Sequence, residues 1–363
     1  MRRKLHSLQA LRALAALLVV ADHAIYYLAE KQDVARSLQN LAWFLGTFGV
    51  DIFFVISGFI MIYTARELFG TRLGFAKFAY RRIVRIVPLY WLATILAAGL
   101  LLRHQFPSNF EILTSLAFIP VVTQIGEPLR PILGVGWTLN LEMFFYALFT
   151  LSLLFSRRSG TILVVSLLVL LVAAGGLLRP VADTSDPLTV ATFLTNPILL
   201  LFAAGVVLGA AIALSEDAAF RVPLGAITII GLVAGAIALF VVCVDRAPWP
   251  LGWQIVFWAL CVAIVLVALI AEERRSSALG ILERLGDASY SVYLFHFLVI
   301  AAVGRVWLTA FGHIPQWPFI AIAFVTATIA GLLIHLWVER PLLATLRHLQ
   351  PMLTRMLTPL SQG

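Results

Sequence analysis

The sequence predicts an all-α, polytopic integral membrane protein of about ten transmembrane helices with both termini cytoplasmic. Three observations predict it. Hydrophobic residues make up 61% of the 363 residues and charged residues only 12%, with a mean hydropathy of +0.99, whereas a soluble domain is about 25% charged. Apolar stretches near the roughly 20-residue spanning length recur at 8–29, 41–64, 82–102, 137–156, 160–178, 193–214, 224–244, 252–271, 287–308 and 317–338. Of the 26 Lys and Arg, all but seven (Lys31, Arg36, Arg103, Arg130, Arg179, Arg246 and Arg305) fall in or beside segments that this topology puts in the cytoplasm, as the positive-inside rule requires.

That bias also accounts for the formal charge of +8, so a nucleic-acid partner is not expected. Met1 to Lys4 before an apolar run imitates a secretory signal. The run is longer than a signal core, contains Arg12, Asp22 and His23 and lacks a small-x-small cleavage site, so it reads as a retained first span. Cys243 and Cys261 lie in apolar segments without CxxC or Cys/His ligand spacing. They read as packing residues, and no metal site is expected.

The first span, LQALRALAALLVVADHAIYYLA, holds Arg12, Asp22 and His23. Arg or Asp at a helix centre costs roughly 2.5 to 3.5 kcal/mol, so such residues mark a cavity or a partner. The step from Arg12 to His23 is eleven residues, about three turns, which puts both on one face about 16 Å apart. Snorkelling by Arg12 and a satisfied core histidine is the bland alternative; the three residues together favour a functional stripe.

The second span contains GVDIFFVISGFIM, with Asp51 about 15 Å from its outer end, near the depth of His23. Asp51 reads as functional. Ser57 and Gly58 read as small residues for close helix packing. In AYRRIVRIVPLYW, Arg81, Arg82 and Arg85 are spaced to form one basic patch near the start of the third spanning helix. Cations there oppose the helix dipole while an anion is welcome, so a phosphate ligand would resolve the conflict. A cluster that touches lipid phosphates is the alternative. Tyr90 and Trp91 are ordinary bulky membrane residues unless they line a cavity.

Residues 103–136 make the longest outward connection, with Pro107, Pro120, Pro128 and Pro131. Its apolar middle, 112–122, is too short to span and reads as a re-entrant or interfacial piece, suited to a lid. The fourth span opens GVGWTLNLEMFFYALF, with Trp137 at the interface and Glu142 about 7 Å deeper. A carboxyl group there must be paired, protonated or in water, and an inward-facing Arg is the structural alternative.

Spans five to eight are nearly uncharged and read as scaffold, with no internal repeat to suggest an inverted-repeat transporter. LGDASYSVYLFH places His296 in the inner half of span nine. Span ten carries His335 and ends LWVERPLL, where Glu339 and Arg340 read as an interface ion pair closing a helix before Pro341. Residues 343–363 read as a basic cytoplasmic tail behind a membrane domain of 1–342.

By inferred depth, Arg12, Arg82, Arg85 and His296 lie toward the cytoplasm, and Asp22, His23, Asp51 and Glu142 in the outer half. The first group suits a phosphorylated molecule and the second a hydroxyl-rich one. A donor held by its phosphates and reaching about three helical turns toward His23 must be long and thin, as a coenzyme A thioester is. Acyl transfer to an alcohol needs a base, which an imidazole supplies with a carboxylate to orient it. Asp22 points about 100° away from its neighbour His23, so Asp51 or Glu142 could serve equally well. Carboxylates on the outer side also suit sugar hydroxyl groups.

These residues resemble the membrane-bound acyltransferase 3 family, whose members O-acylate exopolysaccharides, lipopolysaccharides and related glycans. The similarity runs from about Leu5 to Pro341. It rests on LRALAALLVVADHA, GVDIFFVISGF, RRIVRIVPLYW, GVGWTLNLEMFFY, LGDASYSVYLFH and VERP in this order. Thr138 stands where a serine is more usual, and Asp22 where an apolar or aromatic residue is commoner.

The resemblance implies an acyl-CoA donor, usually acetyl-CoA, with His23 as base, Arg12 assisting the donor, Arg82 and Arg85 on the coenzyme, and Glu142 as a site carboxylate. The expected set is therefore His23, Asp22 and Glu142 for catalysis. Arg12, Arg82, Arg85 and His296 are expected at the donor, and Asp51, Trp137 and Tyr90 at the acceptor. The expected protein is an inner-membrane acetyltransferase of a surface or lipid-linked glycan, resembling the short members without a fused SGNH domain. It would work among membrane lipids, as a homo-oligomer or beside a separate glycan-assembly partner. The alternatives are a flippase for a lipid-linked glycan, and a succinyl or other acyl transferase with the same mechanism.

Overall fold

The computed structural model describes residues 5–101, 107–121, 130–178, 190–214, 251–271 and 280–348. Those residues are helical or irregular, without strands. In chain order the helices are α1 His6–Ala29, α2 Arg36–Ala65, α3 Arg72–Leu101, α4 Asn109–Leu116, α5 Trp137–Ser152, α6 Arg157–Leu178, α7 Val190–Leu194 and α8 Leu199–Leu214. They continue with α9 Leu251–Ala271, α10 Gly280–Asp287, α11 Ser289–Phe311, α12 Gln316–Ile334 and α13 Arg340–His348. A π-helical turn, His335–Glu339, joins the last two.

Among the described residues seven helical stretches are long and apolar enough to cross a membrane. They match the expected spans at 8–29, 41–64, 82–102, 160–178, 193–214, 287–308 and 317–338. The expected fourth span is the 16-residue α5, the eighth is α9, and the seventh, 224–244, lies outside the described residues, as does Cys243. Outward side chains such as Ile95, Leu170, Val306 and Trp317 are apolar and more than half exposed, the pattern expected of a surface solvated by lipid.

The chain forms two compact units, Met1–Ile56 with Ser215–Leu336, and Ser57–Leu214 with Trp337–Gly363. In the first, α1 packs against α9, α10, α11 and α12. Its buried stripe Ala16, Val20, Ala24 and Leu28 recurs every fourth residue, one face of a helix. Small residues let the helices close: a Cβ on Gly49 of α2 would stand 2.5 Å from the Ala15 carbonyl oxygen, and one on Gly331 of α12 would stand 2.6 Å from Val292 Cα of α11. Cys261 is buried here. Helix α11 stops at Gly312, whose φ of 70° is the left-handed conformation that ends helices.

In the second unit α3 packs on α4, α5 and α13, while α5 packs on α6 and α8. Phe145 of α5 stacks on Phe202 of α8 at 4.3 Å between centroids. Gly58 has the packing role expected, since a Cβ there would overlap the Phe202 carbonyl oxygen. Helix α3 continues past Pro88 and begins ten residues before the expected span. Arg81, Arg82 and Arg85 therefore sit more than two turns inside a helix, and the expected conflict with a helix N-terminus does not arise.

The apolar middle of the outward connection is the short helix α4. It opens with a capping box in which Ser108 and Glu111 satisfy each other's backbone amides.

Candidate active-site residues

In the first unit, helix α1 carries Asp22 and His23 on consecutive positions, and α11 brings in His296. The His23 and His296 rings meet edge to face with centroids 4.8 Å apart, and Phe297 contacts His23 edge-on at 5.8 Å. His296 was expected at the donor on the cytoplasmic side; the fold places it against the expected base. That juxtaposition depends on how α1 and α11 pack, which spacing along the chain does not encode.

His23 Nδ1 lies 3.0 Å from the Val19 carbonyl oxygen and 3.4 Å from Asp22 Oδ2. Both neighbours accept, so Nδ1 carries the hydrogen in the neutral ring and Nε2 carries the lone pair. Asp22 thus reaches the imidazole although adjacent residues point about 100° apart. Gly46 of α2 makes the room, because a Cβ there would overlap Asp22 Oδ2. His296 is fully buried, its Nδ1 donates to the Tyr293 carbonyl oxygen at 2.6 Å, and Nε2 has no hydrogen-bond partner.

Arg12 lies on the same continuous helix as His23, with a guanidinium nitrogen donating to Gln9 Oε1 at 3.2 Å. Asp51, on α2, is 1% exposed, receives a hydrogen bond from the Trp258 indole of α9, and leaves Oδ2 unpartnered.

The second unit holds Glu142, Arg82, Arg85, Tyr90 and Trp137. Glu142 Oε1 accepts from Ser57 Oγ at 3.0 Å and from the Tyr146 hydroxyl. Tyr146 follows Glu142 by four residues and so shares its face of α5. The Arg82 guanidinium lies over the Phe78 ring at 5.3 Å and the Tyr146 ring at 5.6 Å, within range of the Glu142 carboxylate. Arg82 and Glu142, expected toward opposite sides of the membrane, thus lie near each other with Tyr146 between them. Ser57, read from sequence as a packing residue, is a direct partner of Glu142. Tyr146 is not among the residues expected from sequence, although its four-residue spacing from Glu142 is the signal that points to it. Asn140 is not among them either, and its amide is buried with both polar atoms unpartnered.

Arg82 and Arg85 also line a cavity of about 220 Å³ with Tyr80, Arg81 and, from α13, Leu343 and Arg347. Trp137 begins α5 directly after a 3₁₀ turn, Gly134–Gly136, and is partly buried. Tyr90, expected at the acceptor, is fully buried; its ring stacks on Phe118 at 4.4 Å and its hydroxyl donates to the Ser115 carbonyl oxygen at 3.1 Å. With Trp91, whose indole donates to the Leu116 carbonyl oxygen at 2.9 Å, it ties the end of α4 to α3. Residues 343–348 of the expected tail belong to α13, so the expected boundary at 342 falls within one helix.

The acyltransferase domain model of the acyltransferase 3 family matches residues 5–336. The exopolysaccharide production protein ExoZ of Rhizobium meliloti (strain 1021) is 34% identical over 313 residues, which cover 82% of this chain and 90% of that protein. The acyltransferase MdmB of Streptomyces mycarofaciens is 26% identical over 97% of this chain and 95% of its own length. The O-acetyltransferase OatA of Staphylococcus aureus (strain NCTC 8325 / PS 47) is 25% identical over 94% of this chain, a match that spans 57% of OatA. No solved structure matches the chain. With six ordered motifs and a family model spanning nearly its whole length, the chain belongs to the acyltransferase 3 family of membrane acyltransferases.

Proposed function

We propose that the protein is an inner-membrane O-acetyltransferase that moves an acetyl group from cytoplasmic acetyl-CoA to a hydroxyl of a surface or lipid-linked glycan. The observation that carries the reading is the state of His23: with Nδ1–H held by Val19 and Asp22, the Nε2 lone pair is the basic atom. The similarity to ExoZ and OatA supports a polysaccharide acceptor.

In this reading Nε2 takes the proton of a sugar hydroxyl as its oxygen attacks the thioester carbonyl. The C–S bond then breaks, and the imidazolium returns the proton to the departing thiolate. Alternatively Nε2 attacks the thioester carbonyl first and the thiolate leaves; the hydroxyl then opens the acetyl-imidazole, and the proton it gives up converts the thiolate to thiol. Asp22 orients the ring in either route. Arg12, Arg82 and Arg85 hold the donor phosphates, and Glu142, kept in place by Ser57 and Tyr146, provides the second site carboxylate. Asp51 and Trp137 contact the acceptor. Tyr90 secures the outer connection through α4. Ten spans with cytoplasmic termini complete the topology. A longer acyl group would need only a different donor pocket, and a panel of acyl-CoA donors with purified protein identifies the one used.

His23→Ala is the test. Loss of O-acetyl groups from the cell's glycans, by at least about a hundredfold for a missing general base, with normal protein level is expected. Unchanged O-acetylation would sink the proposal.

A further inference from the structure

The cavity on the second unit is lined by four arginines from two helices, Arg81, Arg82 and Arg85 of α3 and Arg347 of α13. No carboxylate lines it among the described residues. Arg82 has the Glu142 carboxylate within range, whereas the guanidinium groups of Arg81, Arg85 and Arg347 around the same small space repel one another unless an anion sits among them. The wall is fixed: the Tyr80 hydroxyl donates to the Leu346 carbonyl oxygen at 2.6 Å, which holds α13 against α3 one residue from Arg347.

Size limits the ligand. At about 220 Å³ the space falls below the roughly 300 Å³ at which clefts begin to enclose whole small molecules. It takes a terminal group while the rest of the ligand stays outside. A phosphate monoester suits it best, with a charge of about −1.5 to −2 near neutrality and three acceptor oxygens. Planar guanidinium forks match those oxygens two at a time.

We propose that this cavity is a phosphomonoester site in which Arg347, with Arg81 and Arg85, binds the 3′-phosphate of the coenzyme A donor and so distinguishes it from donors lacking that group. The proposal rests on the acyl-CoA reading above and adds a helix beyond the matched residues 5–336 to the donor site.

The test measures binding of coenzyme A and of 3′-dephospho-coenzyme A to the full chain in nanodiscs, with zwitterionic lipid alone and with added phosphatidylglycerol. Wild type is expected to prefer coenzyme A on the order of tenfold to a hundredfold, the worth of one lost charge-assisted contact. Arg347→Gln should reduce that preference to within about threefold, mainly by weakening coenzyme A, and Arg347→Lys should restore part of it. Arg72→Gln removes an exposed charge from α3 outside the cavity, and should keep the wild-type preference. Equal affinity of wild type for the two ligands overturns the proposal, as does an unchanged preference in Arg347→Gln. If phosphatidylglycerol is retained in an Arg347-dependent way and the preference is absent, the site is a lipid headgroup seat and the proposal is wrong. Wild type that binds neither ligand refutes the acyl-CoA reading itself.

Discussion

Gly46 shows how one residue can serve a reactive group it never touches chemically. Asp22 reaches His23 Nδ1 only because the facing position on α2 has no side chain. Gly46→Ala should therefore displace the carboxylate or part the helices, at about 1–3 kcal/mol for overpacking. Asp22→Ala should relieve most of that cost. Thermal unfolding of the two single variants and the double variant measures the coupling, expected at roughly 0.5–3 kcal/mol; simple additivity would show that Gly46 serves only the backbone. His23, Arg12 and Glu142 were legible as single residues because polar groups inside apolar runs are costly and few. Their partners were not. His296, Ser57, Gly46 and Arg347 gain their meaning from helices distant in sequence, and no periodicity within one helix reports what stands opposite.

At the scale of the helix, the seam between α11 and α12 depends on small residues. Ala323, Ala327 and Gly331 are all buried and fall at four-residue steps, and Gly331 brings the backbone against Val292. Between two helices in lipid, van der Waals fit replaces the hydrophobic drive, so this close approach is what holds the pair. Gly331→Leu is expected to lower the yield of monodisperse protein after detergent extraction severalfold. Val325→Leu, at a position 52% exposed on the same helix, should leave the yield unchanged. Equal yields of the two variants would mean that the seam contributes little. Such spans were readable from length and hydropathy, since the bilayer imposes both. Their ends were less so: α3 extends ten residues beyond its apolar part, because Leu73 to Tyr80 can remain helical outside the hydrocarbon with Phe78 buried on the protein side.

For the molecule as a whole, the orientation of everything after α3 turns on whether α5 crosses the membrane. Its 16 residues rise about 24 Å at 1.5 Å each, short of the roughly 30 Å hydrocarbon core. The preceding 3₁₀ turn of three residues adds about 6 Å at 2.0 Å each, and the two together reach across. If they do, Arg158 faces the cytoplasm, as the positive-inside rule prefers for the pair Arg157 and Arg158. If they do not, Arg158 faces outward. Single cysteines at the exposed positions Asp33, Arg158 and His313, with Cys243 and Cys261 changed to serine, separate the cases in spheroplasts treated with a membrane-impermeant maleimide. Asp33→Cys and His313→Cys are expected to react from outside, and Arg158→Cys only after lysis. Labelling of Arg158→Cys in intact spheroplasts would remove α5 from the spans and reverse the inferred side of the helices beyond it.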